Sequence, residues 1–251
     1  MLHSIRKTLK QIISPDLKYS TFKPGKRLVT IGTNYGGWTI PLELLNSDSI
    51  CYLAGAGEDI SFDLGLAKQV GCTVHIFDPT PRSKKHYEDV VTAAGNGSVM
   101  RINNNKKELY ELDKQAVKLL RFHELGVWKQ KEVLKFFAPQ DETHISHSIS
   151  NLQHTSRYFE ANVDRLSNLM QQNGHDHLNL LKIDIEGAEF EVIDSIIEDN
   201  LKINIFCVEF HQKDQKDFSE IQASINKLES NGYFVIARKD LDFTFLNKNF
   251  R

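Results

Sequence analysis

The feature that most constrains this chain is the alternation, from about residue 49 onward, of short apolar runs with segments whose apolar residues recur at helical spacing. SICYLAG (49–55), CTVHIFD (72–78), NLLKIDI (179–185) and INIFCVEFH (203–211) are too continuously hydrophobic for strands with one wet face, and read as strands covered on both sides. Between and after them, residues 60–70, a segment beginning near Arg82, DRLSNLMQQ (164–172), 189–199 and 218–231 read as helices. LRFHELGVW (120–128), KEVLKFF (131–137) and FEANV (159–163) are further strand candidates, and YFVIARK with FTFLN forms a closing hairpin. This order predicts an α/β fold with a mostly parallel sheet, helices on both faces and an antiparallel C-terminal hairpin. Right-handed crossovers then put the chemistry at the carboxyl ends of the strands, on GAGED, DPTP, LGVW, DIEG and EFH.

At 251 residues with 40% hydrophobic content, one large domain is sustainable, and no repeat or Pro/Gly/Ser linker divides the chain. We therefore expect a leader over residues 1–47, a single catalytic domain over 48–251, and a polar loop over about 138–158. Thirty-one basic against 33 acidic residues give a net charge of -2, which provides no field for collecting phosphate backbones, so a nucleic-acid partner is not expected. Cys51, Cys72 and Cys207 lie in or beside strand-like runs without a CxxC pair, which points to reduced structural thiols and a cytoplasmic location. The first fifteen residues lack the apolar core and cleavage site of a secretory signal, and no run approaches the roughly 18 apolar residues of a transmembrane helix.

GAGEDIS (55–61) falls between a strand and a helix, where Gly55 and Gly57 let a ligand approach the backbone. The third-glycine position of a dinucleotide fingerprint is Ile60, and Glu58 with Asp59 stands where a pyrophosphate would sit. Two carboxylates there repel phosphate and suit an ammonium and a sulfonium, favouring S-adenosylmethionine over NAD; the bland alternative is that they offset the helix dipole. Asp78 ends the next strand about twenty residues on, where a carboxylate can accept from ribose hydroxyls, or can merely cap the turn before Pro79.

YGGW (35–38), GAGEDISFDLGLA (55–67), VHIFDPTPRS (74–83), HELGVW (123–128), LLKIDIEGAEFEVI (180–193) and EFH (209–211), in that order, resemble the FkbM family of S-adenosylmethionine-dependent methyltransferases. The resemblance runs from about residue 27 nearly to the end, with LKIDIEGAE its most specific block. It implies a class I methyltransferase (Rossmann-like) fold of seven mostly parallel strands, and O-methylation of a hydroxyl on a sugar, glycolipid or similar small polyhydroxylated acceptor. By position it implies that Gly55, Gly57, Glu58 and Asp78 bind the cofactor, that Gly126 lies against the adenine, and that Asp184 sits between methionyl group and acceptor. The leader through YGGW resembles a lid over that cofactor.

A hydroxyl is a weak nucleophile, so a base or a cation should assist. Asp184, Glu186, Glu209 and His211 all follow strands, and Glu209 and His211 share a strand face; Asp184, Glu209 and His211 are the expected catalytic group. They can instead ligate a divalent cation that polarises the hydroxyl, or serve only as structural hydrogen-bonding groups. His144, His147 and His154, like His175 and His177, lack cysteine partners and read as solvated or substrate-lining side chains; Trp38 and Trp128 read as core or lid packing. A nicotinamide oxidoreductase and a methyltransferase-like module without turnover are the competing readings.

Overall fold

The computed structural model describes residues 16–102, 108–137, 158–211 and 218–248. Seven strands form the main sheet: β3 (Cys51–Ala54), β4 (Val74–Phe77), β5 (Leu120–His123), β9 (Leu178–Ile183), β10 (Ile203–Glu209), β11 (Tyr233–Lys239) and β12 (Asp242–Asn247), in the spatial order β11-β12-β10-β9-β3-β4-β5. β12 runs antiparallel to both β10 and β11, while β5, β4, β3, β9 and β10 are mutually parallel. The order reverses between β3 and β9, and in open sheets of this kind ligands bind outside the carboxyl ends of the strands at such a switch point. This is the mostly parallel, seven-stranded Rossmann-like arrangement that the alternation predicts.

Every residue of β3 and β4 is buried, as continuous apolar runs require when both faces are covered. One face carries helices α1 (Ser61–Val70) and α2 (Pro81–Asn96), together with a two-stranded hairpin of β1 (Val29–Ile31) and β2 (Trp38–Ile40). The other carries α3 (Leu166–Gln172), α4 (Glu189–Glu198) and α5 (Ser219–Ser230). Thr80 caps α2 by accepting from Ser83 N, and Pro81 occupies the first turn, where its missing donor costs nothing. The leader contributes to both cores: Leu17 packs with the α4–α5 face, while Ile31, Trp38 and Ile40 are buried on the α1 side. Phe22 N donates to Val235 O and Val235 N to Ser20 O, so the chain before β1 lines the outer edge of β11.

Two elements differ from the sequence reading. LRFHELGVW is not one strand: Leu125 N turns back onto His123 O, and Gly126–Trp128 leaves the main sheet as β6. It pairs with β8 (Tyr158–Arg165), which is antiparallel to β7 (Glu132–Phe137), giving a separate three-stranded sheet. β8 also absorbs Asp164 and Arg165, so the following helix starts at Leu166. Among the described residues no helix is long and apolar enough to cross a membrane.

Candidate active site

The glycine turn after β3 is fixed by its neighbours on both sides. Gly55 N donates to Phe77 O and Asp184 N to Ala54 O, which draws the ends of β4 and β9 against the turn. Gly55 has φ +86°, and a β-carbon there would stand 1.7 Å from the Asp184 carbonyl oxygen, so glycine is demanded by the backbone of β9. Gly57 differs: it also has positive φ, but its β-carbon would meet nothing within 4 Å, leaving open space on that side of the turn. A ligand can therefore approach the backbone here.

Asp78 is buried and organises this turn. Its Oδ2 accepts from Ala56 N (2.9 Å), Gly57 N (3.1 Å) and Ser83 Oγ (2.9 Å), and its Oδ1 from Thr80 N (2.8 Å) and Thr80 Oγ1 (2.6 Å). Five donors saturate a carboxylate that offers about four lone-pair sites, so a ribose hydroxyl at Asp78 would have to share or displace one of them. Glu58 is engaged by Arg82, whose Nη2 lies 2.9 Å from Oε2. Asp59 accepts from Ser61 N and from Thr33 Oγ1, tying the β1–β2 loop to the start of α1. Gly126 is buried at the start of β6, where a β-carbon would stand 2.9 Å from Val163 Cγ1 and 3.4 Å from the Pro79 ring; its smallness lets the second sheet close against the Asp78 turn.

The carboxyl ends of β9 and β10 bring together Asp184, Glu186, Glu209 and His211. His211 Nε2 is 3.6 Å from Glu186 Oε2, 3.6 Å from Glu209 Oε1 and 4.0 Å from Asp184 Oδ1. Its Nδ1 lies 2.9 Å from Glu189 Oε1. Glu189 is fully buried and also accepts from Ile185 N and Gly187 N, which holds the turn where Glu186 adopts φ +54°. Such strain in a non-glycine residue persists where surrounding contacts fix it. Burial alone would lower the His211 pKa, but the hydrogen bond to Glu189 and the charges of Glu189, Glu186 and Asp184 outweigh it and push it up to about 10. His211 is thus an imidazolium at neutral pH, unsuited to the base role that the sequence allows it. Glu209 is pushed the other way in function: burial, then the charges of Asp184 and Asp242, raise its carboxyl to about 8. A carboxylate that titrates near the working pH is the group in this cluster best matched to proton transfer.

Lys182 lies underneath. Its ammonium is buried, donates to Gly55 O, and sits 3.1 Å from Asp184 Oδ2. Burial acts to lower its pKa, yet Asp184 and Asp63 hold the value above that of a free lysine. Asp63 on α1 is itself pushed up to about 7, by burial against the pull of Lys182.

The profile of the Methyltransferase FkbM domain matches residues 54–235. The chain belongs to the FkbM methyltransferase family. No curated protein matches the sequence significantly. Among solved structures, the chain is similar to precorrin-6y C5,15-methyltransferase from Geobacter metallireducens, at 12% identity over 81% of this chain and 82% of that one, with a TM-score of 0.42. It is also similar to the Methanococcus jannaschii fibrillarin pre-rRNA processing protein (10% identity, 94% and 92% covered, TM-score 0.42) and to M. jannaschii TYW2 in complex with AdoMet (12%, 90% and 89%, TM-score 0.35). In this FkbM domain the glycine turn, the Asp78 turn and the carboxylate cluster follow the carboxyl ends of β3, β4, β9 and β10, on the two sides of the β3/β9 switch point.

Of the residues singled out from sequence, Gly55, Gly57, Asp78, Asp184, Glu209 and His211 lie at or just beyond the carboxyl ends of β3, β4, β9 and β10; Glu58 pairs with Arg82, and Gly126 lies close to Val163 and Pro79. His175 Nδ1 lies 2.8 Å from the Tyr52 hydroxyl and His177 Nδ1 2.7 Å from Asp176, so neither joins the cluster. His144, His147 and His154 fall outside the described residues, as does most of the polar loop 138–158. Trp38 and Trp128 are both buried, as expected of packing residues. Sequence reasoning missed Lys182 and Glu189. A lysine inside the apolar run LLKI, spaced two from Asp184, is the signal that would have found the first.

Proposed function

We propose that this FkbM-family methyltransferase moves the methyl group of S-adenosylmethionine to a hydroxyl oxygen of a small polyhydroxylated acceptor, a sugar or glycolipid precursor, with Glu209 as the general base. The observation that carries this reading is the carboxylate cluster around His211 at the ends of β9 and β10, next to the glycine turn that leaves open space at Gly57. The cofactor fits this donor set: Asp184 and Glu186 suit an ammonium and a sulfonium, and the open side of Gly57 allows close approach. When bound, it supplies an electrophilic methyl carbon and leaves as a neutral thioether. Glu209 accepts the proton of the acceptor hydroxyl as the oxygen attacks. Asp184, held by Lys182, orients the hydroxyl, and His211, held by Glu189, stabilises the Glu209 carboxylate before it takes the proton. In this reading the described leader, residues 16–47, packs on the domain that follows it, with Leu17, Ile31, Trp38 and Ile40 in its cores. Three buried free thiols favour a reducing, cytoplasmic setting, and a mouth lined with carboxylates disfavours nucleic acid.

Asp184, Glu186 and His211 also offer ligand atoms within 4.8 Å of one another, a separation suited to a divalent cation. Glu209 offers a proton acceptor at the same strand ends without a cation, so we favour catalysis without one. Labelled methyl transfer into cell extracts, with mass analysis of the product, tests the reaction class: an oxygen-methylated, polyhydroxylated product is expected, and a methylated nitrogen or carbon would refute the reading. On that acceptor, kcat/KM should rise with pH through about 8, as Glu209 loses its proton, and fall through about 10, as His211 loses its own. EDTA should leave the rate unchanged. Loss of activity in EDTA with recovery in magnesium or manganese would assign the cluster to a cation instead.

A further inference from the structure

Charge is spread unevenly along the chain. Residues 1–27 hold seven basic residues and one acidic one, Asp16, a net +6; since the whole chain carries -2, residues 28–251 carry -8. The leader therefore has a field opposite in sign to that of the domain it precedes, a pattern that points to an anionic partner.

The described part of this basic segment is an exposed strip on one edge of the domain. Leu17 is buried, Phe22 N donates to Val235 O and Val235 N to Ser20 O, which fixes the chain along the outer edge of β11. Lys18, Lys23, Lys26 and Arg27 are all exposed on it. Lys26 lies 3.7 Å from Glu43, while among the described residues Lys18, Lys23 and Arg27 pair with no carboxylate. Lys248, just after β12, joins the strip by standing over the Phe22 ring at 5.0 Å and the Phe234 ring at 3.5 Å. Glu229 on α5, an acid at this edge, is engaged by Ser20 N. Thr21 bridges Val235 in parallel, so the strip advances toward Lys239, at the sheet end where Glu209 stands opposite Asp242.

Residues 1–15 lie outside the described residues, and their sequence adds a second signal. Leu2, Ile5, Leu9 and Ile12 recur at spacings of three and four, with Arg6, Lys7 and Lys10 between them. Apolar residues at that period beside a cluster of cations make the composition of an interfacial anchor. A nucleic acid would use the cations and leave the apolar residues idle. A bilayer with anionic lipids uses both, because its headgroups attract lysine and arginine while the acyl boundary receives leucine and isoleucine.

We infer that the leader edge, Lys18, Lys23, Lys26, Arg27 and Lys248 together with residues 1–15, docks this protein on the anionic headgroups of a membrane surface without crossing the bilayer. The inference goes beyond the methyl-transfer reading and does not depend on it, since docking needs neither cofactor nor acceptor. It places the enzyme where a lipid-borne acceptor is within reach.

The test uses the full chain and sucrose-loaded vesicles of phosphatidylcholine alone or with about 30% phosphatidylglycerol, sedimented at about 0.1 M salt. Each cation near such a surface contributes about fivefold to partitioning. Binding to the mixed vesicles should exceed binding to the neutral ones by at least about tenfold, and should fall by a similar factor at about 0.5 M salt. Three variants are compared: Lys23→Gln with Lys26→Gln and Arg27→Gln; Arg6→Gln with Lys7→Gln and Lys10→Gln; and Ile5→Gln with Leu9→Gln. Each should lose at least about tenfold in partitioning while keeping the wild-type denaturant midpoint, as surface substitutions do. If the first variant unfolds, the other two decide. The inference is overturned if neutral and anionic vesicles bind equally, if neither binds, or if any folded variant keeps wild-type partitioning. It is also overturned if an RNA oligomer binds the chain more tightly than the mixed vesicles at the same salt, which would assign the strip to nucleic acid. None of these outcomes bears on S-adenosylhomocysteine binding, so failure here leaves the methyl-transfer reading standing.

Discussion

Gly55→Ala is expected to yield a protein that is either insoluble or destabilised by more than about 3 kcal/mol, measured as a loss in denaturant midpoint. The added methyl would stand 1.7 Å from the Asp184 carbonyl oxygen, well inside van der Waals contact, and both atoms belong to backbone pinned in the central sheet. Relief would require breaking Asp184 N to Ala54 O or Gly55 N to Phe77 O, and with them the register of three adjacent strands. Gly57→Ala is the internal control. It meets nothing within 4 Å and should cost about 1 kcal/mol of backbone strain while reducing cofactor affinity, because the methyl fills the side left open for a ligand. Equal stability of Gly55→Ala and Gly57→Ala would show that the turn is not held as described.

Glu209→Gln should lower kcat on a true acceptor by about 10²–10⁴-fold with cofactor affinity nearly unchanged, the signature of a group that acts in the transition state. The amide is isosteric and keeps the hydrogen-bonding outline beside His211, but it accepts no proton near neutral pH. The acidic limb of the kcat/KM profile near pH 8 should vanish with it. Asp184→Ala should behave differently and damage stability, cofactor affinity and turnover together, since it leaves the buried Lys182 ammonium without its carboxylate, at a cost of about 3–5 kcal/mol. A Glu209→Gln enzyme that retains the wild-type rate and pH profile would remove the base from this position and leave alignment of the hydroxyl to carry the reaction.

How much of this was legible in the sequence depended on how local the determining contacts are. β3, β4, β9 and β10 stand out because burial on both faces makes them unbroken apolar runs, and their ends are marked by Gly55, Pro79 and the acidic turn DIEG. The split of LRFHELGVW is not visible locally, because β6 leaves the main sheet to pair with β8, more than thirty residues away. The candidate site residues stand out in the sequence for the same reason as the strands: most lie at or just after a strand end, and parallel topology gathers strand ends. Their roles were less legible. His211 reads as a base in isolation and becomes an imidazolium through Glu189, 22 positions earlier on α4, while Glu58 reads as a cofactor ligand and is engaged by Arg82 across the next crossover.

S-adenosylmethionine is expected to bind at the glycine turn and the Asp78 turn. Titration calorimetry of S-adenosylhomocysteine into wild type and Asp78→Ala, with NAD in parallel, tests it most directly. Removing Asp78 leaves the amides of Ala56 and Gly57 without their acceptor and loosens the turn, so affinity for S-adenosylhomocysteine should fall by about tenfold or more, and NAD should not bind either protein. Heat from NAD, absence of heat from S-adenosylhomocysteine in the wild type, or an unchanged affinity in Asp78→Ala would contradict the account.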